Sequence, residues 1–370
     1  MKILQVIKYY FPHYGGVESY TREIARRISS SGSASMEVLT ANEKPFTTHE
    51  MIDGIPITRV LSLGQLFSVP VCPTFPFWLK SIQADLIHFQ MPFPLAEFSE
   101  ILSKKRAKIV VSWHSDIVSQ VVQRKLFEPF LYRFLDRVDK ILVATPNHIT
   151  SSLYLPTYKS KCEIVPFGID FQRFSSLSST NEIDRIRKGA EILILFVGRL
   201  VTYKGVEYLI RAMVNVKGRL LIVGDGPLKQ PIIKLAESLG LQDRITIISN
   251  VSNKELPYYY KACDIFVLPS IANSEAFGIV QLEAMACAKP VITTNLTTGV
   301  TYVNQNEVTG LHVAVKDSHS LARAINELAL HPEKRELYGK NGQQQVYRLY
   351  NNDTIWQKVF NVYKSVLNKN

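Results

Sequence analysis

The sequence predicts an α/β protein of two doubly wound domains, and three observations carry that expectation. Short apolar runs alternate with helical stretches along the chain, the pattern of parallel sheets covered by helices. At 370 residues the chain is too long for one ordinary core. The alternation fills each half separately, with a turn at Pro166-Phe167-Gly168-Ile169-Asp170 and a Ser/Thr-rich linker, Ser175 to Thr180, between the halves.

Taken in order, the expected strands of the first half are Lys2–Ile7, Met36–Thr40, Leu86–Phe89, Ile109–Trp113, Ile141–Ala144 and Glu163–Val165. Those of the second half are Leu193–Val197, Leu220–Val223, Ile245–Ile248, Ile265–Leu268 and Val291–Thr293. The apolar run at Met1 to Ile7 is too short for a signal-peptide core and reads as the first strand. Ser19 to Ile28 reads as a helix, and so does the final segment from about Asn341 to Leu367. The uncharged stretch Leu61 to Leu79 contains Pro70, Pro73 and Pro76, so it reads as a surface loop, one that can meet lipid. No run of about 18 apolar residues suggests a membrane span. The expected divisions are residues 1–170, 171–345 and a C-terminal helix over 346–370.

The net charge of +11 suits nucleic acid, an anionic membrane or a phosphorylated small molecule. No RNP pattern, zinc finger or polybasic tail supports nucleic acid. Cys72, Cys162, Cys263 and Cys287 are widely spaced and read as reduced, buried thiols of a cytoplasmic protein. No cofactor is expected. No Asp-x-Asp occurs that would suit a metal-bridged diphosphate.

The most informative stretch runs from Ser274 to Ala288. Ile279 to Cys287 is rich in helix formers and almost wholly apolar, so it reads as a buried helix that starts near Phe277-Gly278-Ile279. Such a start presents unpaired N–H groups and suits phosphate. Glu283, one turn in, leans back toward that start and can reach the hydroxyls of a ribose. Glu275, eight positions earlier, can face the other end of the same ligand. Arg199 and Lys204 lie five apart after the strand Leu193–Val197 and can clamp a diphosphate, though they also read as solvated loop cations. Gly15-Gly16 follows the first strand, and Gly224-Asp225-Gly226 follows Leu220–Val223. Both let backbone amides approach an anion, and both also read as plain turns. His114 and Asp116 end the strand Ile109–Trp113 and can bond sugar hydroxyls or, as for Asp116, the acceptor, though a lone histidine also reads as structural. His88 reads as structural or acceptor-side. Leu126 to Val138 is an amphipathic helix with Arg124, Lys125, Arg133, Arg137 and Lys140 along it. It covers the first sheet or docks on an anionic membrane, where Lys104, Lys105, Arg106 and Lys108 can join it.

The Glu275-x7-Glu283 pattern, with the motifs above, resembles glycosyltransferase family 4, and the resemblance covers nearly the whole chain. It implies the GT-B fold, α/β with two facing Rossmann-like doubly wound domains and a cleft between them, and a last helix that crosses back to the first. It implies a retaining glycosyltransferase that uses no metal. Arg199 and Lys204 would hold the donor diphosphate, with Gly15, Gly16, Gly224, Val251, Phe277, Gly278 and Ile279 also on the donor. Glu275 and His114 would lie at the transferred sugar and Glu283 at the ribose. The run His114-Ser-Asp-Ile117 and the segment Thr293 to Val300 lean toward bacterial O-antigen or capsule enzymes that move mannose from GDP-mannose to a lipid-linked glycan at the inner membrane face. UDP-hexoses stay open. Two departures lie near the site. Ala288 stands where the family has glycine after the helix, and Asn295 to Gly299 replaces a more glycine-rich loop. A sugar-nucleotide epimerase and a non-catalytic nucleotide-sugar binder remain as alternatives, and a dehydrogenase is disfavoured because the third glycine of its fingerprint is missing.

Overall fold

A computed structural model describes residues 1–13, 15–67, 69–103, 106–116, 121–176 and 180–368. Lys104, Lys105, Ile117 and the linker residues 177–179 lie outside the described residues, as do the side chains of Arg124, Lys125 and Leu126. The chain divides into two compact units, Met1–Phe167 with Asp353–Asn370, and Gly168–Asn352. Residues 168–170 and 346–352 therefore belong to the second unit.

The first unit holds β1 (Lys2–Ile7), β2 (Ser35–Ala41), β3 (Thr48–Ile52), β4 (Ile55–Val60), a small hairpin of β5 (Gln65–Leu66) and β6 (Val69–Pro70), β7 (Leu86–Met91), β8 (Lys108–Trp113), β9 (Lys140–Val143) and β10 (Cys162–Ile164). Eight of these form one sheet in the order β10-β9-β8-β7-β1-β2-β4-β3. Every neighbouring pair is parallel except β3 with β4. The two faces of its centre differ. Leu4, Val6, Ile87, Phe89, Ile109, Val111 and Trp113 enter an apolar core with Phe134 and Leu135 of the helix Val121–Arg137. Side chains alternate across a strand, so Gln5, His88, Gln90 and Ser112 fall on the other face, where Tyr363 of the helix Asn352–Leu367 meets them.

The second unit is a six-stranded parallel sheet of β11 (Leu193–Val197), β12 (Arg219–Val223), β13 (Ile245–Ile248), β14 (Ile265–Leu268), β15 (Val291–Thr294) and β16 (Gly310–Val313). Its order, β13-β12-β11-β14-β15-β16, is the dinucleotide-fold order, and the winding reverses between β11 and β14. Ligands of such sheets bind beyond the carboxyl ends of the strands at that reversal.

Three expectations need correction. Leu61 to Leu79 is not simply a loop, because its prolines are used where proline fits: Pro70 ends a two-residue edge strand, and Pro76 enters the first turn of the helix Phe75–Ser81. The antiparallel pair β3–β4 was not expected, although Asp53-Gly54 between them, both at positive φ, is the usual two-residue hairpin signal. The final helical segment is broken. The helix Pro332–Gln345 widens into a π-turn over Val346–Tyr350, and Asn351 is extended, because Ile169 takes backbone bonds on either side of it.

Glu97, on the helix Pro94–Ser103, is 4% exposed and its Oε1 has no partner among the described residues. Burial pushes its carboxyl up to about 8. The native chain therefore keeps a proton that the unfolded chain loses near its ordinary value of 4.5. Between those values stability falls as pH rises, by roughly 1.4 kcal/mol per unit. Glu97→Gln is expected to gain about 2–3 kcal/mol over the wild type on going from pH 5 to pH 7.5 in urea unfolding. A pH-independent difference would remove the buried acid from the argument.

Candidate functional site

The loops after β11, β12 and β14 in the second unit, with the helix Ile279–Ala286 that follows β14, gather most of the residues singled out from the sequence. Their backbones are close enough to exclude side chains. A Cβ on Gly224 would lie 2.0 Å from the Gly198 carbonyl oxygen, and one on Gly205, at φ +64°, would lie 2.2 Å from that of Pro269. The loops after β11 and β12 are joined by Gly198 N–H to Val223 and Leu200 N–H to Asp225. The loops after β11 and β14 are joined by Ile271 N–H to Tyr203.

Lys204 and Glu275 meet across the point where the winding reverses. Lys204 Nζ donates to Glu275 Oε2 at 2.5 Å, and the Ser270 hydroxyl donates to the same oxygen at 2.8 Å. The two residues are 8% and 7% exposed. Thr298 Oγ1 holds the Glu275 carbonyl at 2.8 Å. Glu275 Oε1 makes no hydrogen bond to another described residue, so it can accept one from a ligand hydroxyl. Arg199 is exposed, and its guanidinium is unpaired among the described residues.

Gly278 caps the helix Ile279–Ala286 at φ +71°, ψ +59°, a left-handed conformation in which a Cβ would also meet Leu268 at 2.6 Å. The helix opens beside the carboxyl end of β14, and its first amides lack intrahelical acceptors. Phe277 is buried edge-on to Tyr350. Glu283, on the fifth residue of the helix, accepts from the Tyr260 hydroxyl at 2.6 Å. Burial holds its carboxyl above the usual range, against the Tyr260 hydrogen bond and the nearby Arg173. Val251 is half-buried in the loop after β13, next to Asn250 at φ +60°.

In the first unit, Gly15 caps the helix Gly16–Ser30 in an extended conformation open to any residue. What crowds it is the Glu18 carboxylate, 2.2 Å from where a Cβ would sit. His114 follows β8, and its Nε2 lies 2.8 Å from Gln90 Oε1. Burial, then His148, pushes the imidazole down to about 3, so it is neutral at neutral pH. Asp116 does not share that setting. Its Oδ1 accepts from Trp113 Nε1 at 2.9 Å and from Ser152 Oγ at 2.7 Å, and its Oδ2 from Leu153 N–H at 2.7 Å. These three bonds give Asp116 a structural role beside the expected acceptor-side one, and Oδ2 keeps one acceptor position open among the described residues. His88 is buried between Tyr363 and Ser112.

Sequence reasoning missed Gln90, which holds His114, and placed Tyr260 and Ser270 in a segment beside the base or in packing without seeing that they hold Glu283 and Glu275. Among the described residues no group of three or more His, Cys, Asp or Glu gathers as a metal site. Ala288, in place of the expected glycine, keeps the left-handed conformation at φ +56°.

Residues 14–173 match the family model "Glycosyltransferase Family 4", and residues 179–345 match "Glycosyl transferases group 1". The O-antigen chain mannosyltransferase C of Escherichia coli is 31% identical over 377 residues, covering 99% of each chain. The D-rhamnosyltransferase WbpZ of Pseudomonas aeruginosa is 30% identical, covering 95% of this chain and 92% of its own. Sucrose-phosphate synthase from Thermosynechococcus elongatus has the same fold, with a TM-score of 0.82 and 23% identity over 99% of this chain and 98% of its own.

Lys204→Met is expected to cost about 3 kcal/mol by leaving a buried carboxylate unpaired, and adding Glu275→Gln should restore most of that loss. Chemical denaturation of the three variants measures the coupling, and additive losses would mean the pair does not interact. Ala288→Gly is expected to stabilise by about 1 kcal/mol by relieving the left-handed Cβ. An unchanged or lowered melting temperature would contradict it.

Proposed function

The chain belongs to glycosyltransferase family 4, with the GT-B fold, and on that premise we propose that it is a retaining hexosyltransferase that moves mannose from GDP-mannose to a lipid-linked glycan during surface-polysaccharide synthesis. The observation that carries this reading is the Lys204–Glu275 pair at the winding reversal of the second domain, with Glu283 one helical turn beyond the capping Gly278. The 31% identity to an O-antigen mannosyltransferase over the full chain supports the choice of sugar and pathway.

In this reading the donor lies on the second domain. Its pyrophosphate takes the N–H groups at the start of the helix Ile279–Ala286 together with Arg199 and Lys204. Those cations neutralise the charge that grows on the leaving nucleotide, so the chemistry requires no metal. Glu275 Oε1 accepts from a sugar hydroxyl, Glu283 receives the ribose, and Val251 and Gly224 border the nucleotide. His114 and the Gly15-Gly16 turn of the first domain serve the sugar and the acceptor step. The acceptor attacks the face that the nucleotide vacates, which retains the anomeric configuration, and the departing phosphate takes the acceptor proton.

A peripheral station on the cytoplasmic membrane face fits the surface of the first domain. Leu63, Leu66, Phe67 and Val71 around the small hairpin, with Phe77 and Phe98, are exposed, and Lys80 and Arg106 are exposed cations on the same domain. The helices Phe75–Ser81 and Pro94–Ser103 pack on each other, which links part of this set. No helix among the described residues is long and apolar enough to cross a membrane.

Thermal-shift screening of GDP- and UDP-sugars, followed by turnover on lipid-linked acceptors, tests the proposal. GDP-mannose is expected to stabilise most, and a larger shift with GDP-D-rhamnose or a UDP-hexose would reassign the donor. Glu283→Ala is expected to weaken donor binding roughly 10-fold or more, as for loss of a hydrogen bond to a charged group, and unchanged affinity would end its ribose role. Activity should persist in EDTA, whereas full loss reversed by a divalent ion would contradict metal-free transfer.

A further inference from the structure

The sheet face that meets the C-terminal helix carries a row of polar side chains at the centre of the first domain. Gln5, His88, Gln90 and Ser112 are each at most 3% exposed. Strand register sets them side by side, Gln5 level with His88 and Gln90 level with Ser112. His114 lies two residues beyond Ser112, so it continues the same face just past the end of β8. Hydrogen bonds connect the row. His114 Nε2 is 2.8 Å from Gln90 Oε1, and Gln90 Nε2 donates to Gln5 Oε1 at 3.0 Å. Gln5 Nε2 donates to the Tyr363 hydroxyl at 3.1 Å. That hydroxyl is 2.6 Å from His88 Nδ1, and His88 Nε2 is 2.8 Å from Ser112 Oγ.

A chain of hydrogen bonds like this has a direction. A side-chain amide donates only through nitrogen and accepts only through oxygen. Gln90 gives its amide nitrogen to Gln5 and so turns its oxygen toward His114. The imidazole nitrogen facing that oxygen must then carry a hydrogen. A neutral ring with its hydrogen on Nε2 has a bare lone pair on Nδ1, and Nδ1 has no partner among the described residues. The ring itself is fixed, stacked on Phe167 at 5.4 Å and edge-on to Tyr20.

We propose that Gln90 is a positioning residue for the transfer reaction. It locks His114 as the Nε2–H tautomer so that Nδ1 accepts a hydrogen bond from a hydroxyl of the transferred sugar, and Gln5 and Tyr363 set the orientation of its amide. The proposal rests on the reading of the chain as a hexosyltransferase with His114 at that sugar. His114 then orients and does not transfer protons. Burial keeps the ring neutral at neutral pH, so its Nδ1 stays an acceptor. Tyr363 takes part in this although it belongs to the last helix, 249 positions after His114 in the sequence.

Long-range proton–nitrogen NMR correlation of protein labelled with ¹⁵N-histidine reads the tautomer directly, with His114 assigned by comparison with His114→Asn. The wild type and Gln90→Glu, which keeps an acceptor oxygen, are expected to show Nε2–H. Gln90→Leu is expected to show mixed tautomers and a kcat lowered roughly 10- to 100-fold, as for loss of a partner that orients a functional histidine, with a smaller change in donor KM. A wild-type Nδ1–H signal overturns the proposal, and so does a Gln90→Leu enzyme with unchanged tautomer and kcat. If Gln90→Leu does not fold, the spectra of the wild type and Gln90→Glu decide. The spectra need no substrate, so failure of the hexosyltransferase reading registers separately, as absent turnover with every donor.

Discussion

One buried ion pair organises the second domain's functional end. Removing a lysine and a glutamate from water costs several kcal/mol for each ion, and their attraction offsets this only when geometry and further hydrogen bonds are good. Here the contact is 2.5 Å, Ser270 adds a second donor, and Thr298 fixes the backbone of the acid. The pair ties the loop after β11 to the loop after β14. With it come the contact of Gly205 on Pro269 and the placement of the segment that leads to Gly278. A hydrophobic pair of equal volume would also join these loops, but it would offer no charge to a ligand. In the proposed reaction the donor finds the cation and the acid already in place, so little reorganisation remains for the moment of transfer.

The first domain uses its central sheet differently on each side. One face is apolar and packs on the helix Val121–Arg137. The other carries a hydrogen-bonded polar row under the C-terminal helix. A fully connected polar row restricts a site to few arrangements, because each amide orientation dictates the next. Adjacent residues can therefore do unrelated work. His114 is held with one ring nitrogen unpartnered among the described residues, whereas Asp116 ties Trp113, Ser152 and the Leu153 amide together.

The sequence was most legible where burial is uniform. Strands such as Leu193–Val197 and Ile265–Leu268 are apolar on both faces and bounded by glycine or proline, so they stand out. Lys204, Glu275 and Glu283 were readable because charged residues are rare in such surroundings, and the family pattern gave them their spacing. Other features were local but overlooked, above all the Asp53-Gly54 turn of β3–β4. The rest was not written locally. The break near Asn351 depends on bonds to Ile169, far back in the chain. Gln90 lies just past the expected strand Leu86–Phe89, and only the observed strand, which runs to Met91, brings it to His114. Ala288 shows the opposite case, in which the surroundings impose a left-handed backbone on a residue that does not favour it.

The first domain is assembled from two separated stretches of chain, with the whole of the second domain between them. Tyr363, which completes the polar row, comes after the whole of the second domain in the sequence. The second domain, continuous in sequence, can acquire its native contacts while translation is still under way. The first must wait with Gln5, His88 and Gln90 uncovered until the C-terminal helix emerges. A nascent chain stalled before that helix would hold a finished second domain and an unfinished first one.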